Sequence, residues 1–202
     1  DSSTSRGLGD VYKRQDLMSQ TLYEFVWHDY CDWYLEISKP LLENDKTKQG
    51  CEATLLKVLS ETLVLLHPII PFITEEIFEQ SQKLQSNSTG KLISQPFPEP
   101  NKDLLNTEAE AEIDWLKEFI LGIRKIRGEM NISPGKPLPC FVKSYSSKDQ
   151  YYIDNNKAML FALAKLDTVD LLSQDEEEPE SAIALVGLSL IHISEPTRRR
   201  GI

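Results

Sequence analysis

Three groups of residues have the types and spacing to do chemistry. His28, Asp29 and Asp32 fall within about one helical turn and resemble an acid–base set, but the sequence nearby supplies no catalytic partner in a recognisable arrangement. They read as polar-face or interhelical hydrogen-bonding groups, and no catalytic residue is assigned. Arg124, Lys125 and Arg127 form a cationic cluster whose two arginines are the only ones between residues 16 and 187. Trp27, Tyr30, Trp33 and Tyr34 gather more ring area around one helical turn than a single buried stripe can hide. The sequence has no Gly-rich phosphate loop, GxSxG elbow, HExxH or HxxxH pair, or recognisable Cys–His spacing, so no metal ligand is assigned either. The three cysteines, Cys31, Cys51 and Cys140, are odd in number and contain no CxxC, which points to a reducing, cytoplasmic setting without disulfides or structural zinc.

The elements that must position these groups follow from periodicity. From 16 to 42, Met18, Leu22, Phe25, Val26, Trp33, Ile37 and Leu41 recur at three-to-four-residue steps, which predicts an amphipathic helix that Pro40 ends or kinks. The string ENDKTKQG supplies a polar turn with Gly50. A helix over 51–66 follows, apolar on more than one side and expected to be the most buried element. His67-Pro68 and Pro71 predict a corner and a new short helix, and 85–106 reads as a loop with Pro96, Pro98 and Pro100. Thr107 and Glu110 have the form of a capping box for a helix from 108 to about 130. Its inner stripe is Ile113, Leu116, Ile120 and Ile123, and the cationic cluster occupies its last turns.

Ser133-Pro134-Gly135 then reads as a turn, followed by strands at 138–145, 168–172 and 181–186 and a helix at 149–166. The fold class expected is mainly α: a helical bundle over 16–133 and a small α/β module of βαββ order over 134–187. The acidic run at 175–180 is expected to be an exposed hairpin loop.

Composition narrows the function classes. The chain has 202 residues, 22 Lys plus Arg against 32 Asp plus Glu, a net charge of -10 and 40% hydrophobic content. That excludes a disordered tail, and the longest apolar stretch, 55–73, is too interrupted to cross a membrane. An acidic chain does not hold nucleic acid through its overall field, so any such binding needs a local patch. Residues 1–15 and 188–202 continue neither neighbour's pattern, and their strings VYKRQ and SLIHISEPTR look like translated adapter DNA. Without them the charge is about -13.

The strings LYEFVWHDYCDWYLEISKP (22–40), LLHPIIPFITEEIF (65–78) and IRKIRGEMNISPGKPLP (123–139) resemble, in this order, the C-terminal region of the valyl-tRNA synthetase family. The middle string is shared by several class I synthetases for aliphatic amino acids, and the flanking two are more specific. The resemblance implies an anticodon-binding bundle and a small α/β module. It also implies that the catalytic domain with its ATP chemistry, the editing domain, the first bundle helices and a coiled coil lie outside this chain. The implied partners are tRNA(Val) and those other regions of a monomeric enzyme, with no cofactor in this stretch and no activity by it alone.

On that reading Arg124, Lys125 and Arg127 contact phosphates, or else compensate the helix dipole and pair with acids such as Glu129. Tyr30 and Trp27 project partly together, so one of them, with Tyr30 as the residue chosen, is the stacking platform for an unpaired base, while Trp33 belongs to the core. Lys39 is a further phosphate contact or a solvated lysine. The alternatives are a helical protein-interaction scaffold without RNA binding, and the same region of an isoleucine or leucine enzyme.

Overall fold

A computed structural model describes residues 14–85, 90–143, 145–173, 182–186 and 189–193. The chain divides into two compact units, Asp1–Asp103 and Leu104–Ile202.

In the first unit, helix α1 runs from residue 14 to Glu43, and its middle, Phe25–Tyr34, is wound as a π-helix. The backbone N–H of Leu35 accordingly donates to the carbonyl of Tyr30, five residues back. Pro40 has no N–H to continue the ladder, and the helix stops three residues later at Glu43. Helix α2, Asp45–Leu66, starts six residues before its expected first residue: the Asn44 side chain accepts from the Lys46 N–H at 3.0 Å, and Asp45 complements the dipole. ENDKTKQG is therefore mostly the first turns of α2, with Gly50 inside the helix. The corner at His67–Ile70 forms as expected, and Pro71 opens helix α3, Pro71–Leu84.

One buried cluster of this unit joins Leu63, Phe78 and Leu92, with Leu59 and Val64 packed beside them, and Ile37 and Cys51 are buried as well. Helix α2 buries only Cys51, Thr62 and Leu63, against the expectation that it would be the most buried element. Its apolar residues surround the helix, but the contacts it makes are with α1, α3 and the short turn at Leu92–Ser94, so the remaining side is uncovered.

Helix α4, Thr107–Glu129, belongs to the second unit and buries more residues than any other helix among the described residues, contributing Leu116, Phe119, Ile120, Ile123, Ile126 and Arg127 to its interior. Its N-cap is Asn106, whose Oδ1 accepts from the N–H groups of Glu108 and Ala109 at 3.1 Å each, and not Thr107. Its C-terminus closes as a Schellman motif. Asn131 sits at φ 52, its N–H reaches the carbonyl of Gly128 at 3.2 Å, and that of Ile132 reaches Arg127 at 2.8 Å. Asparagine tolerates the left-handed region better than most residues, and buried Ile132 supplies the apolar contact such a stop favours.

Strands β1 (Leu138–Lys143), β2 (Leu166–Leu171), β3 (Ala182–Val186) and β4 (Ser189–Ile193) form one sheet in the order β2-β1-β4-β3. β1 and β2 are parallel and joined by helix α5, Ser147–Ala164, while the other pairs are antiparallel. Along β1, Leu138, Cys140 and Val142 are buried, giving the alternation of a strand covered on one face. Helix α4 lies against β3 and β4, α5 lies against β2, and the two helices pack together. Polar bonds fix that pairing: Trp115 donates to Asp149 at 2.8 Å, and buried Asn156, at a kink in α5, donates to Glu112 at 2.6 Å. The βαββ order is present with one strand more, because β4 falls in the stretch set apart in the sequence as foreign. The acidic 175–180 run lies outside the described residues.

Candidate nucleic-acid interface

The last two turns of α4 carry the cationic cluster, and they divide its members. Arg127 is 6% exposed. Its Nη1 donates to the carbonyls of Ser133 at 3.1 Å and Lys136 at 2.8 Å, and its Nη2 to those of Ala164 at 3.0 Å and Lys165 at 2.8 Å. No partner is found for its buried Nε among the described residues. Burial lowers the pKa of this guanidinium, though from a value so high that it stays charged. Arg127 is thus corrected from a phosphate contact to an internal clamp: it joins the end of α4, the turn at 133–136 and the end of α5. That turn is the expected one, with the Lys136 N–H returning to the Ser133 carbonyl at 3.1 Å.

Arg124 and Lys125 remain exposed one turn earlier. Because one guanidinium takes carbonyls from both Lys136 and Lys165, the clamp gathers two further lysines to the same end of the unit. Lys165 is exposed and Lys136 partly so. Neither is signalled by spacing along the chain, since they meet only through the fold. The C-cap position of Lys165, at φ 51, is a feature that short-range reading overlooks.

In the first unit the ring cluster separates along the π-wound segment. Phe25 and Tyr30, five residues apart, stack with centroids 6.4 Å apart, and Tyr30 and Tyr34 at 6.0 Å. Tyr30 is half-buried, its hydroxyl 3.4 Å from the Leu55 carbonyl; burial first, then Tyr34 and Cys31, raise its pKa. Crowded by Phe25 and Tyr34, it is less open than the expected platform. Tyr23 and Trp27 instead stack within 5° of parallel at 6.1 Å and are 61% and 54% exposed. The charges on this helix are mostly acidic, and Lys39 is engaged by Glu36 one turn back. Trp33 is partly buried, and His28 and Asp32 form an exposed pair at 3.6 Å.

Tyr30 and Lys39 belong to the first unit and Arg124, Lys125 and Arg127 to the second. Among the described residues no group of His, Cys, Asp and Glu could hold a metal ion, and no helix is long and apolar enough to cross a membrane.

Residues 14–142 match the family described as the anticodon-binding domain of tRNA ligase. The chain is also similar to the proteins named valine–tRNA ligase from Legionella pneumophila strains Lens, Paris and Philadelphia 1, each 43% identical over 178 residues. Those alignments cover 86% of this chain and 19% of each relative, so the chain spans about a fifth of their length.

Proposed function

The chain belongs to the anticodon-binding domain family of tRNA ligases, and from that premise we propose that it is the tRNA-reading part of a valine–tRNA ligase. The observation that carries this reading is the family match over 14–142 together with the valine-enzyme similarity over 86% of the chain. ATP-dependent attachment of valine to tRNA(Val) belongs to the rest of such a polypeptide, and this part alone is inactive. The division of labour in the structure supports it. Exposed cations at the end of α4 suit phosphates, and the Tyr23–Trp27 pair offers an open ring face for an unstacked base.

Fluorescence anisotropy with a labelled tRNA(Val) transcript tests the reading. Binding should be weak, fall with salt and drop when the anticodon is substituted. Equal affinity for every anticodon variant rejects it.

One observation favours a protein surface in addition. Phe72 is 91% exposed and, with His67, Pro71, Ile93, Lys91 and three glutamates of α3, lines a cavity of about 360 Å³. Its acidic rim disfavours phosphate. Phe72→Ser should therefore leave tRNA affinity unchanged.

A further inference from the structure

We infer that the end of the second unit where α4 stops binds consecutive phosphates of an RNA backbone through Arg124, Lys125, Lys136 and Lys165, arranged over the buried guanidinium of Arg127. This rests on the tRNA-binding reading and names its phosphate-contacting residues.

Charge is the first support. Residues 124–136 and 164–167 hold five cations, Arg124, Lys125, Arg127, Lys136 and Lys165, against two carboxylates, Glu129 and Asp167. The chain as a whole stands at -10, whereas these two segments carry an excess of cations.

Geometry is the second. A guanidinium that bonds Lys136 and Lys165 carbonyls at 2.8 Å each fixes both lysine backbones to one point, and Arg124 and Lys125 lie on the adjoining turn of the same helix. Four exposed or partly exposed cations from α4, the turn and the α5 cap are thereby held as one group.

The clamp also decides the sign of the field. The C-terminus of α5 and the 133–136 turn direct carbonyl oxygens to this place, and a helix C-terminus carries partial negative charge that repels phosphate. Arg127 takes four of those oxygens, and carbonyls, unlike carboxylates, leave its full positive charge unneutralised. Arg127 is therefore a positioning residue that touches no RNA.

The test uses the full chain, labelled tRNA(Val) and the same transcript with a substituted anticodon, titrated from about 50 to 200 mM KCl. Lys136→Gln and Lys165→Gln should each reduce the log–log salt slope by about 0.7–0.9 and weaken binding about fivefold at 100 mM salt. The factor should be the same for both transcripts, because phosphate contacts carry no sequence information. Glutamine meets the same backbone strain at 165 as lysine does, and Lys57→Gln on α2 serves as the control with no change of slope. Arg127→Lys, which keeps the buried charge, should retain most of the slope, while Arg127→Met should lower it.

Unchanged slopes for both lysine variants, with anticodon-dependent binding intact, overturn the inference and leave the tRNA reading standing. Unequal factors for the two transcripts would mean base reading and also overturn it. Competition by inorganic phosphate at matched ionic strength would mean a single-anion pocket, with the same consequence. If the unsubstituted chain binds no tRNA, both fall.

Discussion

Replacing Arg127 by alanine separates a clamp from a ligand contact. The substitution removes four hydrogen bonds from a charged donor, each worth about 1.5–3 kcal/mol. Part of this is offset, because folding no longer desolvates a guanidinium, a cost of several kcal/mol. The orphaned acceptors set the remainder. The Ser133 carbonyl keeps the Lys136 N–H and the Lys165 carbonyl keeps the Leu138 N–H, whereas the carbonyls of Lys136 and Ala164 lose the bond that Arg127 supplies. A net loss of about 3–5 kcal/mol follows, a large fraction of a domain's stability.

Urea unfolding followed by Trp115 fluorescence reads this unit alone, in a Trp27→Phe, Trp33→Phe background, since Trp115 packs against Phe119 and Tyr152 and bonds Asp149. With a denaturant slope of about 1.5 kcal/mol/M the midpoint should fall by about 2–3 M. A loss below about 0.5 kcal/mol, the range of an ordinary surface substitution, would refute the clamp.

Arg124→Ala should do the reverse, changing stability by less than about 0.5 kcal/mol while lowering tRNA affinity and its salt slope. Asn106→Ala should destabilise α4 by about 1 kcal/mol and Thr107→Ala by much less, as read by thermal unfolding; equal effects would reject the cap assignment. Burial, with Asp170 adding to it, pushes the Cys140 thiol up to about 12, so native protein should resist alkylation there at pH 8 until unfolded, checked by mass spectrometry. Because the folded pKa lies above the unfolded one, the stability this thiol contributes is present below about pH 9 and is lost as pH rises through about 12. Trp27→Ala should weaken tRNA binding by about 1–3 kcal/mol and Tyr30→Phe should leave it unchanged; the opposite order would restore Tyr30 as the platform.

Elements with strong periodicity or a proline corner were legible in the sequence: α4, the His67–Pro71 break, the strand–helix–strand order after Pro134. Helix starts were less so, because ENDKTKQG and NTEAE each offer several polar residues and only the backbone decides that Asn44 caps α2 and that Asn106, not Thr107, caps α4. The site was legible only as a composition. Arg124 and Arg127 look alike in one dimension, and what separates them is a set of carbonyls up to 38 residues away. Tyr30 and Trp27 were likewise indistinguishable until five-residue winding paired Tyr30 with Phe25.

That winding has a mechanical meaning. A helix closed by five-residue loops advances through a smaller angle per residue than one closed by four, so its two ends are out of phase with an ordinary rod of equal length. In α1 the trailing end carries Ile37 and Ser38 into the interior, where Ser38 meets Cys51, and the leading end, with the first residues of the π-wound segment, carries Tyr23 and Trp27 outward. Between them the rest of that segment, His28–Tyr34, acts as angular gearing. Removing or adding one residue there would rotate the ring pair about the axis while the anchored end stayed seated, so the bearing of the aromatic face is adjustable independently of the core.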